Sequence, residues 1–410
     1  MNLQYLSIYV HIPFCVRKCN YCDFLSFNAK RKVVDRYFEA LKREVELIAS
    51  KNAVVRSIFF GGGTPSFVDA DKICDVLRDI KSSFAISEDA EISIEVNPAS
   101  AMFEKLCAYR KAGFNRISIG AQSLNDEELK VLGRAHDSKM FFETFENARR
   151  AGFDNINVDV MSALPGQSLE SYLATLGKVI ELRPEHISAY SLILEEGTPF
   201  YEMDLDIPDE DTDRAMYHET KRILAEAGYH RYEISNYALD GRECYHNKVY
   251  WRRGNYLGLG IGAASMIDNK RWSNTRDIER YVGILLDGAC ADMEAEIYSN
   301  AEADLFDKDN DMLPGQDNVG TLSEIRENIE ELSLQSQMEE FMFLGLRLVE
   351  GVSIAEFRRL FGKDIQEVYG EVIDKYIKLG MMEYSEQDSF LCLTDSGLDV
   401  SNTVMAEFLL

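Results

Sequence analysis

The sequence has no run of about 18 apolar residues, so nothing in it reads as a membrane-spanning helix. Its opening stretch, MNLQYLSIYVHIPFC, carries no basic flank, no apolar segment long enough for a secretory signal and no small-residue cleavage site. Cations are in short supply: 44 Lys and Arg stand against 70 Asp and Glu, a net charge of −26. That deficit excludes nucleic-acid binding through a general positive field, because phosphates are held mostly by Lys and Arg. Cysteine is sparse too, with eight in 410 residues, and no second cysteine pair could complete a four-thiolate zinc site with the first group. These absences predict a cytoplasmic protein with reduced thiols, three of them clustered ligands and five scattered and buried. They leave peripheral membrane association and a homodimer open.

What is present is a long chain with 46% apolar residues, enough for a large core and for two or three domains. From Tyr5 to about Leu194, β-rich runs (YLSIYV, VRSIFF, EISIEV, FNRISIG, FDNINVDV, HISAYSLIL) alternate with amphipathic stretches such as VVDRYFEALKREVELIA. Six β/α units of this kind predict a parallel sheet with helices outside it, because each crossover must start the next strand on the same side. Eight units would close a full barrel; six predict an α/β fold with a partial (β/α)6 barrel. A further helix, the strand-like RYEISNYA and the Gly-rich YLGLGIGAAS then extend the sheet laterally, ending a first unit at residues 1–286.

Residues 287–331 hold fourteen Asp or Glu against two Lys or Arg. Their DKDNDMLPGQDN core reads as a solvated acidic insertion, since it lacks the glycine and terminal glutamate order of a calcium-binding hand. Residues 332–410 then read as helices, a β-hairpin and a last helix, a winged-helix-like α+β domain. Such modules commonly enter DNA grooves, but the first-helix and wing residues here are acidic, which argues against it.

The chemistry concentrates in HIPFCVRKCNYCDF, residues 11–24. Cys15, Cys19 and Cys22, spaced C-x3-C-x2-C, lie directly after the first strand, at the end where parallel barrels keep their chemistry. Zinc completed by His11, or a redox pair, remain as alternatives. A [4Fe-4S] cluster on three cysteines would leave one iron without a protein ligand, free for a substrate or cofactor. Gly61, Gly62 and Gly63 follow the second strand, where absent side chains let the backbone approach a ligand. Glu95, Gln122 and Asp159 close three successive strands and would gather at one barrel mouth, although a polar residue at a single strand end is commonly only a helix cap.

The motif C-x3-C-x2-C after a first strand resembles the signature of the radical S-adenosylmethionine (SAM) family. YVHIPFC...KCNYCDF, together with FFGGGTPS, SIEVNP, GAQS, LGRAH, LPGQ, HNKVYW and LTDSGLDVSN in order, is similar to the branch holding the oxygen-independent coproporphyrinogen dehydrogenase and its heme-chaperone relatives. The resemblance implies a [4Fe-4S] cluster whose free iron chelates SAM and whose electron cleaves it. It implies SAM contacts at Tyr9, Gly62 and Glu95, and at Tyr21, Gly63, Thr64, Gln122, Arg134 and Asp159, positions that bind two SAM molecules in the dehydrogenase.

Two departures matter for function. The dehydrogenase pattern continues to a fourth cysteine, where this chain has Phe24, and it carries an N-terminal extension, whereas here the first cysteine is already residue 15. His246-Asn247-Lys248-Val249-Tyr250-Trp251 matches the H-N-x-x-Y-W motif of the chaperone branch. An imidazole at His246 could ligate heme iron, with Tyr250 and Trp251 as stacking faces, or the tyrosine and tryptophan could simply pack on the barrel. The expectation is a heme chaperone that passes heme to apoproteins, among them respiratory haemoproteins, and that does not oxidise coproporphyrinogen. The alternatives are coproporphyrinogen III dehydrogenase activity and radical SAM chemistry on an unrelated substrate.

Overall fold

The structure, a computed structural model, describes residues 4–287, 319–385 and 389–410. Six strands, β1 (Gln4–Ile12), β2 (Ser50–Gly62), β3 (Phe84–Val96), β4 (Arg116–Gln122), β5 (Ile156–Ser162) and β6 (His186–Ser191), lie parallel and in chain order. The chain returns between them through α1 (Arg31–Leu47), α2 (Ala70–Ser83), α3 (Phe103–Ala112), the pair α4 (Asp126–Val131) and α5 (Ser138–Arg150), and α6 (Leu169–Glu181). Strands β1 and β6 do not pair with each other, so the barrel stays open, as six units rather than eight require.

Strand alternation decides what faces where. In β1, Ile8, Val10 and Ile12 are fully buried on the helix side, where α1 presents Val34, Tyr37, Phe38, Leu41 and Val45 at helical spacing. Ser7, Tyr9 and His11 point the other way, as do Glu91, Ser93 and Glu95 in β3 and Asn157 and Asp159 in β5. The lumen is therefore polar and hydrogen-bonded. Ser57 donates to Ser7 at 2.7 Å, Asn157 Nδ2 to Ser118 at 2.7 Å, and His186 pairs with Asn157 at 2.6 Å and with the Tyr232 hydroxyl at 2.8 Å.

The sheet is extended at both edges, to twelve strands. After α7 (Glu210–Glu226), β8 (Asn236–Ala238) adds antiparallel to β6 and β7 (His230–Arg231) antiparallel to β8. A short helix, α8 (Tyr245–Trp251), crosses to the other side, where β9 (Tyr256–Leu259) pairs parallel with β1 and is followed by β10 (Ala264–Ile267) and β11 (Lys270–Asn274). The buried Glu44 carboxylate of α1 fixes this edge, accepting from Gly260 N (2.8 Å), Asn274 Nδ2 (2.6 Å) and the Tyr281 hydroxyl (2.5 Å). Tyr281 belongs to α9 (Ile278–Val282).

The solvated insertion expected over 287–331 is corrected at its C-terminal end. Its DKDNDMLPGQDN core lies outside the described residues, but Val319–Ile325 form a helix, α10, and Arg326–Glu331 form β12, the edge strand against β11. Counting net charge missed the partners: Arg271 meets Glu330 (3.7 Å), Arg280 meets Glu327 (3.0 Å), and the Arg326 guanidinium lies 4.5 Å over Trp272.

The C-terminal unit comprises α11 (Leu334–Gly345), β13 (Val352–Ser353), α12 (Ile354–Phe361), α13 (Ile365–Lys378), β14 (Met382–Tyr384), β15 (Phe390–Leu393), α14 (Asp395–Asp399) and α15 (Ser401–Ala406). The strands form a separate three-stranded sheet over a core that includes Met342, Phe357, Ile373, Leu391 and Phe408. Helix α11 lies against α8, and the nearly buried Arg253–Glu340 pair (3.1 Å) ties the two units. Among the described residues no helix is long and apolar enough to cross a membrane.

Candidate functional site

The loop between β1 and α1 carries the three cysteines and is held at base and tip. At the base, Cys15 N donates to Phe27 O (3.0 Å) and Phe27 N to Pro13 O (2.9 Å), while Phe14 packs edge-on against Phe27 and Tyr37. At the tip, Asn20 donates through its backbone to Leu132 O (3.0 Å) and through Nδ2 to Val131 O (2.8 Å), which fastens the loop to the end of α4. Gly62 and Gly63 run alongside. Gly62 sits at φ +102°, and a Cβ there would lie 2.3 Å from His11 Nδ1; a Cβ on Gly63 would lie 2.7 Å from Ile12 O. Side chains are excluded by space as well as by conformation.

This loop and the ends of β2 to β5 enclose a cleft of about 160 Å³, open to solvent. Cys15, Cys19, Cys22, Tyr21, Gly62, Gly63, Thr64, Glu95, Gln122, Arg134 and Asp159 all line it. Tyr9 lies one layer deeper, its hydroxyl 3.1 Å from His11 Nδ1, and does not reach the cleft wall. Gln122 is re-aimed by a bulge: pairing with β5 shifts register between Gly120 and Gln122, and Gln122 takes φ +67°. A non-glycine residue in the left-handed region is strained, and bulges of this kind concentrate beside functional sites.

Electrostatically the cleft sets buried acids opposite one buried cation. Burial pushes the Glu95 carboxyl up to about 8, and the neighbouring Asp159 carboxylate adds to the rise, while the Gly62 N–H at 3.3 Å opposes it. Asp159 is also raised by burial, against hydrogen bonds from Asn157 (2.7 Å) and Ser118 (3.2 Å). Arg134 donates to Gly120 O at 2.7 Å and reaches Cys19 Sγ at 3.7 Å, yet its buried Nε has no acceptor. Burial raises the Cys15 thiol, and the Cys22 thiol to about 11. Ser118, Asn97 and Ser26 also line the cleft. Ser118 and Ser26 were not expected here; Ser118 sits two residues before Gly120 on the same strand face, which the β4 alternation would have revealed.

The residues expected to contact heme, His246, Tyr250 and Trp251, lie away from the cleft. Helix α8 closes the opposite end of the lumen, with Glu91 accepting from the backbone N–H of Tyr245 (3.0 Å) and His246 (3.1 Å). Ser57, which His246 touches, precedes Gly62 by five residues of strand, about 16 Å. The His246 ring is buried and stacked on Phe59, with Nδ1 bonded to Ser57 (2.8 Å) and Nε2 to the Tyr250 hydroxyl (3.0 Å). Both nitrogens are engaged, so neither is presented to an iron. Tyr250 packs edge-on against Tyr256, and Trp251 lies under the Arg347 guanidinium at 4.4 Å.

Whether the cleft suits an iron-sulfur cluster follows from its donors. All seven described cysteines are free thiols. Among the described residues no three Cys, His, Asp or Glu side chains converge on a point that one metal ion could fill. The thiols instead border one cleft, beside a buried guanidinium with an unsatisfied nitrogen and a glycine pair no side chain could occupy. Soft thiolates around a space larger than an ion fit a cluster, and the polar far wall fits a zwitterionic ligand.

The radical SAM superfamily pattern matches residues 9–179 and the HemN C-terminal domain pattern matches residues 332–400. The chain is 33% identical to the heme chaperone HemW of Lactococcus lactis over 98% of its own length and 97% of that protein's, and 32% identical to HemW of Bacillus subtilis over 98% and 99%. Its fold superposes on the coproporphyrinogen III oxidase HemN from Escherichia coli with a TM-score of 0.79 at 23% identity, covering 99% of this chain and 90% of that one.

Proposed function

The chain belongs to the HemW family of radical SAM proteins, and from that premise we propose that it is a heme chaperone that carries a [4Fe-4S] cluster and SAM and delivers heme to apoproteins, respiratory haemoproteins among them. The observation that carries the reading is the cleft itself: three free thiols on one wall, with Glu95, Gln122, Arg134 and Asp159 on the other. Cys15, Cys19 and Cys22 would hold the cluster, which supplies an iron without a protein ligand and a source of one electron. The glycine pair leaves room for SAM beside that iron. Glu95, once ionised, would accept from its ammonium, and the Arg134 guanidinium would both neutralise thiolate charge at Cys19 and orient the loop through Gly120.

Phe24 stands where the dehydrogenase pattern has a fourth cysteine; it is 63% exposed at the cleft rim, an apolar face rather than a thiol beside the mouth. This favours holding a flat apolar ligand over oxidising one. The seven described cysteines, all free thiols, also suit work in the cytoplasm. Anaerobic reconstitution followed by heme titration and a coproporphyrinogen assay on one preparation tests the reading. Expected are a brown, iron-loaded protein, a Soret band that saturates with heme, and no protoporphyrinogen. Rapid conversion of coproporphyrinogen would make the chain a dehydrogenase, and the absence of any heme binding would end the chaperone reading.

A further inference from the structure

The loop from β6 to α7 carries a surface that neither the cleft nor the fold uses. Its inner side is anchored. Phe200 is fully buried with Leu132, Met161 and Leu164, and Leu192, Leu194, Leu205 and the cluster-loop residue Tyr21 pack on that group. Phe200 N donates to Asn20 O at 2.9 Å, and Gly166 N to Asp206 O at 2.7 Å. Its outer side is apolar without being core: Ile193 is 68% exposed, Tyr201 52%, Met203 53% and Ile207 46%, and Phe24 stands on the adjoining cysteine loop. Large side chains left outside a loop whose inward positions are already filled mark a contact surface.

Charge states what the surface would meet. Glu195, Glu196, Glu202, Asp204 and Asp206 are exposed between those apolar residues, and no Lys or Arg occurs from residue 184 to 213. Among the described residues, none of these five side-chain carboxylates has a hydrogen bond or an ion pair, unlike the acids elsewhere that meet Arg271, Arg280 or Lys221. The backbone anchors pre-order the face, so little conformational freedom is lost when it is covered. Nucleic acid and anionic lipid would be repelled.

We propose that the face of residues 193–207 is the docking surface for an acceptor protein that presents a positively charged amphipathic segment, Lys or Arg alternating with apolar residues. Its place beside the cysteine loop puts an acceptor at the cleft mouth, and in that respect alone the inference rests on the chaperone reading. Apolar contact supplies area and the carboxylates supply orientation and association rate.

The test uses the reconstituted full chain and, as probe, a fluorescent amphipathic peptide of Lys and Leu, read by anisotropy at physiological salt. Neutralising the face (Glu195→Gln, Glu196→Gln, Glu202→Gln, Asp204→Asn, Asp206→Asn) should weaken peptide binding about tenfold or more. Neutralising five exposed acids elsewhere (Glu88→Gln, Glu146→Gln, Glu181→Gln, Glu371→Gln, Asp374→Asn) should cost less than about twofold, as expected for distant, screened charges. The triple change Ile193→Ser, Met203→Ser, Ile207→Ser should also weaken binding while leaving its salt dependence intact. Equal losses in the two neutralised variants, or wild-type binding by the triple variant, would overturn the proposal. So would capture of the wild type by phosphatidylcholine vesicles that the triple variant abolishes, because the face would then belong to a membrane. Heme titration of the same variants separates the two readings: unchanged Soret titrations with lost peptide binding support a docking role, whereas failure of every form to bind heme defeats the chaperone reading and leaves the peptide result to judge the surface.

Discussion

His246 Nδ1 and Ser57 Oγ, 189 residues apart in sequence, meet at 2.8 Å on the floor of the barrel. With the Ser57 hydroxyl donating to Ser7, the imidazole donates from Nδ1 to Ser57 and accepts at Nε2 from Tyr250. Burial, with Arg116 nearby, pushes the ring down to about 3, so it stays neutral at every physiological pH. His246→Ala should therefore leave a heme spectrum unchanged and lower unfolding stability by about 2–4 kcal/mol, from a cavity and two orphaned hydroxyl partners. A displaced Soret band with unchanged stability would reverse this assignment.

The cysteine loop makes a sharper claim. Ser at any one of Cys15, Cys19 or Cys22 should remove the brown absorbance and most of the iron, while the same change at Cys74 or Cys392 should not. Because Cys15 and Cys22 are held protonated by burial when no metal is present, cluster assembly must expel protons and should quicken as the solution is made alkaline. Iron content and the rate of colour development measure both.

Glu95 gives a pH dependence with a definite sign. Its folded value, about 8, lies above the ordinary carboxylate value, so the cofactor-free chain holds a proton there that the unfolded chain has released. That contribution to stability is complete below about pH 4.5 and is lost as pH rises through about 8. Glu95→Gln, which never ionises, should raise the melting temperature of the cofactor-free chain near pH 8 by about 2–4 °C and change it little near pH 5. The same variant should bind SAM more weakly with its iron content intact. A melting curve that does not distinguish the two proteins at pH 8 would refute the buried-acid assignment.

At the joint between the units, Glu340 accepts from Arg253 at 3.1 Å and from Arg271 at 2.6 Å. Glu340→Ala leaves the Arg253 guanidinium buried without its acid and should destabilise the chain by about 3–5 kcal/mol. Limited proteolysis should then cut near residue 332 before either core unfolds.

The readable parts of this molecule were those set by local chemistry. Six apolar runs became six parallel strands because alternation and β-branching act within a few residues, and C-x3-C-x2-C marks its own site by spacing. Glu95, Gln122 and Asp159 could be placed at one mouth because the strand ends of a parallel barrel share a direction. The placement of α8 was not legible, since it depends on Glu91, some 155 residues earlier, capturing its first N–H groups. Nor was β12, whose carboxylates look like a solvated run until Arg271 and Arg280 are set opposite them. Gln122 could be named, but its left-handed backbone could not, because a bulge is a property of two paired strands.

The polar lumen places a condition on how this chain can vary over evolutionary time. Inward residues are odd-numbered in β1, β3, β5 and the part of β2 from Ser57 onward, and even-numbered in β4 and β6, so away from the bulges inside and outside are distinguished only by parity. Deleting a single residue within β3 would exchange Glu91, Ser93 and Glu95 for Ile92 and Ile94, thrusting carboxylates against the helices and greasy chains into a hydrogen-bonded interior. Substitutions can accumulate one at a time, but a change of length inside these strands fails unless a bulge takes it up. Insertions and deletions among relatives should accordingly collect between strands, and the count of residues from β1 to the first cysteine should stay fixed while side chains around it drift.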